Sequence, residues 1–265
     1  MKKLKVIKIG GKVIDDPELL SQFLKSFSAV EGPKILVHGG GKTASDMGRR
    51  LGIVPKMTEG RRITDAETLE LVTMVYGGLV NKRIVAQLQA IGENAIGLSG
   101  ADANVLKAVK RPVEQIDYGF VGDVEIEGVN QEALTQFVDI GLSPVICALT
   151  HDGKGNLLNT NADTIASILA AALSNYFEVN LIYCFEQPGV LSDFERKQVI
   201  AEMNLKSYNE LKAQGVISDG MIPKMDNAFD ALTAGVKSVH IGHFSKLDEL
   251  LKGNSGTTIK LNEWN

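Results

Sequence analysis

The stretch Ile35-Leu36-Val37-His38-Gly39-Gly40-Gly41-Lys42 constrains this chain more than any other. An apolar run that breaks into three glycines reads as a buried strand, a tight turn and then a helix. Without Cβ atoms, backbone N–H groups come close to a bound anion, and the helix N-terminus behind them favours negative charge. A sharp turn with no ligand is the plainer alternative; three glycines in succession weigh against it. Gly41-Lys42-Thr43 looks like the end of a phosphate-binding P-loop, but that motif needs a glycine where Leu36 stands. Gly39, Gly41 and Ala44 match the G-x-G-x-x-A dinucleotide pattern, with Glu59 roughly where a ribose-binding acid would fall. An NAD-dependent oxidoreductase is therefore one functional class to weigh.

The same strand-then-helix grammar runs through the chain. Strands are expected near Leu4–Ile9, Ile35–His38, Ala95–Ser99, Pro144–Leu149, Val179–Tyr183, Val239–Ile241 and Thr257–Leu261, with helices between them. Asp16-Pro17 starts a helix whose buried stripe is Leu20, Phe23, Leu24 and Phe27. Thr64-x-x-Glu67 reads as a capping box opening a long apolar helix through Ile84, weakened at Gly77-Gly78. Val105 to Glu127 reads as β-hairpins. Alternation at βαβ spacing predicts an α/β fold with a mostly parallel central sheet covered on both faces. With 265 residues and no linker or repeat, one compact unit of two lobes is expected, divided near residue 175.

Bulk properties exclude several functions. A net charge of −4 argues against nucleic acid or an acidic membrane as the main partner. No apolar run approaches the roughly 18 residues of a membrane span, and Lys8, Gly10 and Gly11 interrupt any signal-peptide core. Cys147 and Cys184 sit in apolar runs, as buried free thiols do, so a reducing cytoplasmic setting is expected.

Lys8 inside an apolar strand is costly unless its ammonium snorkels out or meets an anion. Gly10-Gly11 directly after it points to the region of the glycine triplet. Asn159-Thr160-Asn161-Ala162-Asp163 precedes an Ala-rich helix, and carries more polar groups than a helix cap needs.

Taken together, Lys8 with Gly10-Gly11, His38-Gly39-Gly40-Gly41, Gly60-Arg61-Arg62-Ile63-Thr64, Asn159-x-Asn161-Ala162-Asp163 and Asp219-Gly220-Met221-x-x-Lys224 resemble the amino acid kinase family. The resemblance covers nearly the whole chain. It is to the branch that acts on N-acylated glutamate.

The resemblance implies a three-layer αβα sandwich over residues 1–265, with an acyl-amino-acid lobe (1–175) and a mainly ATP-binding lobe (176–265). It implies ATP-dependent phosphorylation of the γ-carboxylate of N-acetylglutamate, a step of arginine biosynthesis, with Mg²⁺ held mainly by the ATP phosphates. Lys8 and Lys224 would neutralise the transferring phosphoryl group, and Asp163 would position both lysines. Gly40 and Gly41 would offer N–H groups near the substrate, while Arg62 and Asn159 hold its α-carboxylate. Gly10, Gly11, Glu186, Gly189, Leu191, Val216, Ile217 and Ser218 would flank the nucleotide, and Asp117 to Val124 would cover the substrate. The implied assembly is a homodimer through the helix after Thr64. It would be insensitive to arginine, since the first strand starts by Leu4 and leaves no room for the N-terminal helix of arginine-inhibited members.

The residue types suit that chemistry. An ionised γ-carboxylate needs no general base, so alignment and charge stabilisation suffice. Acylation of the amine prevents ring closure onto the activated γ-carbon. Two departures from the family pattern concern the nucleotide turn, here Phe185-Glu186-Gln187-Pro188-Gly189, and the segment Ser99 to Asn104. A third is Arg61, a second cation beside Arg62. Turned inward, it would grip the terminal carboxylate of a succinyl group and make N-succinylglutamate an alternative substrate; neighbouring side chains on an extended segment diverge, which would leave it in solvent. A ligand sensor without catalysis is the remaining class, disfavoured by the presence of both lysines and Asp163.

Overall fold

In the computed structural model, the structure describes residues 1–58, 60–217 and 220–261. Eight strands form one sheet: β1 Lys3–Ile9, β2 Lys34–His38, β3 Ala95–Leu98, β4 Ser143–Cys147, β5 Glu178–Phe185, β6 Glu202–Met203, β7 Ser238–His243 and β8 Thr257–Ile259. Across the sheet they run β6-β8-β7-β5-β1-β2-β4-β3. The neighbours are parallel except β7 and β8. β1 lies between β2 and β5, with Lys8 in register with Val37 on one side and Tyr183 on the other. Strand order therefore reverses at β1, and the crevice beyond the carboxyl ends of β1, β2 and β5 is where an open α/β sheet takes its ligand.

The helices are α1 Gly11–Asp15, α2 Pro17–Ser28, α3 Gly41–Arg50, α4 Ala66–Val72, α5 Asn81–Ala90, α6 Gln131–Asp139, α7 Ala162–Leu173, α8 Leu205–Ala213, α9 Met221–Thr233 and α10 Leu247–Leu251. α7 packs on β1, β2 and β5 and against α9, while α2 packs with α5 and α10, giving the αβα layering. Asp16 caps α2, its Oδ1 accepting from Glu18 N and Leu19 N at 2.9 and 3.1 Å. Leu20, Phe23, Leu24 and Phe27 form its buried stripe as the sequence predicts. Cys147 and Cys184 are buried free thiols, and burial pushes both up to about 12. Among the described residues no helix is long and apolar enough to cross a membrane.

Two local expectations are corrected and one, the long helix, is borne out with a refinement. Asp65, not Thr64, caps α4: its Oδ1 accepts from Thr68 N at 3.0 Å while Lys56 grips Oδ2 at 2.8 Å. Thr64 is buried instead and its backbone binds the 118–120 segment. The long helix is continuous, but between α4 and α5 the stretch Thr73–Val80, which contains Gly77-Gly78, is π-helical. The 105–127 region carries a single two-residue ladder, Val109–Lys110 with Gly122–Asp123, because its backbone groups bridge to Thr64, His151 and Asn159 rather than to each other. α1, α8, β6 and the hairpin of Leu149–His151 with Leu157–Asn159 were not foreseen.

Candidate active site

The carboxyl end of β1 delivers Lys8, and the first turn of α7 delivers Asp163. Alternation along β1 puts Lys8 on the same side as the buried Val6 and Leu4, and α7 packs there. Lys8 Nζ lies 2.7 Å from Asp163 Oδ1. Lys224, on the first turn of α9, approaches from the other side, Nζ to Oδ2 at 2.8 Å. One carboxylate thus clamps two ammoniums, and the three side chains are only 11–20% exposed. Burial would raise the Asp163 carboxyl, but Lys8 and Lys224 outweigh it and hold the group well below the usual carboxylate range. Lys224 goes the other way: burial lowers its ammonium, opposed by Asp163. Its Nζ also sits 4.8 Å from the centre of the Tyr183 ring on β5.

The cluster carries one net positive charge, so it is built to meet an anion. Asn161 caps α7, its Oδ1 accepting from Asp163 N at 2.7 Å and Thr164 N at 3.2 Å. That cap fixes the backbone from which Asp163 projects.

Two glycine turns flank the cluster. After β1, Gly10 N donates to Cys184 O at 2.8 Å, and a Cβ there would stand 3.2 Å from Phe185 Cβ. After β2, Gly40 has φ +149 and ψ 23, and a Cβ on it would meet Tyr76 Cδ1 at 3.0 Å, so only glycine fits. α3 begins at Gly41, with no acid in its first turn. No acidic side chain there competes with an anion for its N-terminal N–H groups and dipole.

Arg62 reaches across to this turn. Its Nη2 donates to Gly41 O and to Ser45 Oγ, both at 2.8 Å, while its Nη1 is buried with no hydrogen-bond partner among the described residues. Asn159 Nδ2 donates to Thr64 Oγ1 at 3.0 Å, and Asn159 N to Phe120 O at 2.9 Å. Arg62, Thr64, Phe120 and Asn159 are thereby tied into one wall. Arg61 is exposed and lines a separate stretch of surface, a cleft with Arg111, Glu114, Tyr118 and Asp123.

The nucleotide-flanking expectations fall in two groups. Glu186 Oε1 pairs with Lys12 Nζ at 2.9 Å, bridging the turn after β5 to the turn after β1. Gly189 is packed where a Cβ would fall 2.7 Å from Val199 Cγ1, and Leu191 pairs with Val199. By contrast, Val216 and Ile217 bind back to Leu211, and Ile217 is buried. Ser218 and Asp219, like Glu59, lie outside the described residues.

Sequence reasoning singled out His38 only as part of a motif and missed Asn81. His38 is fully buried; Asn81 Nδ2 stands 3.0 Å from its Nε2, and its Nδ1 is 2.8 Å from Gly39 O. An amide N–H donates only, so Nε2 accepts and Nδ1 carries the proton. Burial lowers this histidine from 6.5 to about 4. The fold therefore holds neutral His38, and the stability it contributes is complete above about pH 6.5 and lost as pH falls toward 4. That shift corresponds to about 3 kcal/mol. Denaturation measured between pH 4 and 7 is expected to show this loss in the wild type and not in His38→Asn, beyond the acid losses shared by both; parallel curves would refute it.

The sequence pattern of the amino acid kinase family matches residues 3–243. An acetylglutamate kinase of Cytophaga hutchinsonii is 56% identical over 98% of this chain and 99% of its own length. A Streptococcus mutans protein of known structure is 29% identical with TM-score 0.80, covering 99% of this chain and 100% of that one. Carbamate kinase from Giardia lamblia, solved with AMP-PNP, shares the fold at 16% identity and TM-score 0.69, over 98% and 99% of the two chains. With a lysine–aspartate–lysine clamp between two glycine turns at the switch point of a parallel sheet, and with matches that run almost end to end, the chain belongs to the amino acid kinase family.

Proposed function

We propose that this chain transfers the γ-phosphoryl group of ATP to the γ-carboxylate of N-acetylglutamate, giving ADP and an acyl phosphate. The observation that carries this is the Lys8–Asp163–Lys224 clamp beside the Gly40 turn. An oxygen of the substrate carboxylate forms a bond to phosphorus as the bond from phosphorus to the β,γ-bridging oxygen breaks, and the electron pair leaves with ADP. No proton moves, because the carboxylate is already ionised near neutral pH. Lys8 and Lys224 meet the charge on the transferring group, Asp163 spaces them, and the N–H groups of Gly40 and Gly41 line the acceptor side. On this reading Gly10, Gly11, Glu186, Gly189, Leu191, Val216 and Ile217 flank the nucleotide.

Mg²⁺ fits this site as a passenger on the ATP phosphates. Both Asp163 oxygens are taken by ammoniums, and among the described residues no three His, Cys, Asp or Glu side chains come together. When bound, the ion would neutralise phosphate charge that the lysines leave uncovered.

Arg62 and Asn159 hold the substrate α-carboxylate on this reading; the buried, unpartnered Nη1 of Arg62 supports it, since an unpaired buried donor is costly. Arg62→Ala is expected to raise KM for the acylglutamate about 10- to 100-fold, the equivalent of 1.5–3 kcal/mol for a hydrogen bond to a charged group, with kcat moved much less. The reverse pattern in steady-state kinetics would remove Arg62 from that role.

An ADP-release assay with acetyl-, succinyl- and unacylated glutamate tests the assignment. Turnover is expected with the acetyl substrate and not with free glutamate, and ATP–Mg²⁺ but not NAD should raise the melting temperature. Silence toward the acetyl substrate would refute the reading. The dinucleotide reading of Gly39, Gly41 and Ala44 gains no support from the relatives, which are acetylglutamate kinases.

The same reading assigns residues 1–175 to the acyl-amino-acid lobe and 176–265 mainly to the ATP lobe, within one domain. It also assigns a homodimer through the outer side of the long helix. Support comes from Met74, which is 57% exposed, and Leu79, 37% exposed, on either side of Gly77-Gly78. Sedimentation giving a monomer would overturn that assembly.

A further inference from the structure

We infer that His38 and Asn81 are positioning residues that aim the Gly40 N–H into the acceptor site, a role that rests on the kinase reading above. A trans peptide is planar, with its C=O and N–H pointing in opposite directions. The peptide between Gly39 and Gly40 has its carbonyl drawn onto His38 Nδ1 at 2.8 Å, into the protein. Its N–H, that of Gly40, therefore points away from the core.

Nothing local holds that plane. Gly39 has no side chain and Gly40 sits at φ +149, so both torsions beside this peptide are unusually free. The hydrogen bond from the ring is what selects one orientation.

The ring is itself set from behind. Asn81 Nδ2 donates to Val145 O on β4 at 2.9 Å as well as to His38 Nε2 at 3.0 Å. Lys82 Nζ donates to Asn81 Oδ1 at 3.1 Å and to Gly97 O on β3 at 2.9 Å. A Cβ at Gly97 would lie 2.0 Å from Asn81 Oδ1, so the glycine makes the space this amide occupies. Asn81 is the first residue of α5, directly after the π-helical stretch. With its amide fixed by β4 and β3, His38 can present only Nδ1–H to Gly39.

The wild-type test is ¹⁵N NMR of imidazole-labelled protein. His38 should show the Nδ1–H tautomer; the Nε2–H tautomer would overturn the inference whether or not any variant folds.

Kinetics of folded variants form the second test. His38→Asn keeps an amide donor at the position of Nδ1, whereas His38→Gln moves it out toward Nε2. His38→Gln is expected to lower kcat at least about tenfold, a fraction of the roughly 10²–10³-fold lost with a whole oxyanion donor, with KM for ATP changed less than about threefold. His38→Asn should recover kcat to within about threefold of wild type. A merely structural histidine would lower the melting temperature of both and leave kcat per folded molecule alone. Folded His38→Gln with kcat within twofold of wild type, or His38→Asn no better than His38→Gln, would refute the role. Failure of the kinase reading is separate: it would appear as no turnover by the wild type, with the tautomer unaffected.

Discussion

Alanine at Lys224, or at Lys8, is expected to lower kcat about 10²–10³-fold while KM for the acylglutamate changes little. The magnitude is that of one lost preorganised electrostatic donor. In phosphoryl transfer the charge of the moving group spreads over its three equatorial oxygens, and catalysis is mostly positioning plus charge stabilisation. On the proposed assignment the clamp meets that charge with two ammoniums held 2.7 and 2.8 Å from one carboxylate. Removing either leaves a neutral pair. The acyl-amino-acid substrate binds elsewhere, against Arg62 and Asn159, so its affinity is spared.

Lys224 should also impose a pH dependence of its own. Burial lowers the Lys224 ammonium, and the ring of Tyr183 beneath it only partly replaces lost water. Its charged form therefore starts to disappear below the ordinary lysine range, and kcat should fall on that alkaline limb. Lys224→Arg keeps the charge throughout, so any residual activity should lack the limb. Near-normal kcat in Lys224→Ala would sink the mechanism.

Legibility differed between fold and site for physical reasons. The sheet was readable because its strands are apolar runs ended by glycine, as at Ile35 to Gly39, and because α2 announces itself with Asp16-Pro17 and a clean apolar stripe. The π-helical stretch was not, since Gly77-Gly78 signals only a weak helix and not which carbonyls the N–H groups choose. α8 was missed because its capping box pairs Asn204 with Ser207, without the acidic residue that usually marks one.

Within the site, Lys8 was legible as a cation stranded in an apolar strand. Arg61 and Arg62 are indistinguishable by type and adjacent in sequence. Only the strand geometry separates them, sending Arg62 to Gly41 and Ser45 and Arg61 to the cleft by Arg111. Asn81 was invisible for a different reason. A polar residue on a helix reads as surface, and its partners His38, Val145 and Gly97 come from three strands far away in sequence.

Asp163→Asn is expected to destabilise the protein by about 3–5 kcal/mol, the range for breaking a buried ion pair from one side. The isosteric amide keeps the packing but strips both ammoniums of the carboxylate they share. Lys224 offers partial relief: burial already lowers its ammonium, so losing its proton keeps the loss near the lower end. The pH dependence has a definite sign. Because Asp163 is held below the usual carboxylate range, its contribution is present above the ordinary carboxyl value and lost as pH falls through the folded one. The gap between wild type and Asp163→Asn should therefore be wide at pH 7 and close in acid. Nucleotide supplies the discriminating measurement. If the two lysines face ATP phosphates, ATP–Mg²⁺ partly replaces the missing charge, and the melting temperature of Asp163→Asn should rise more on adding it than that of the wild type. Loss of less than 1 kcal/mol in urea at pH 7, or an ATP–Mg²⁺ shift smaller than that of the wild type, would mean that Asp163 does not space the lysines for phosphate.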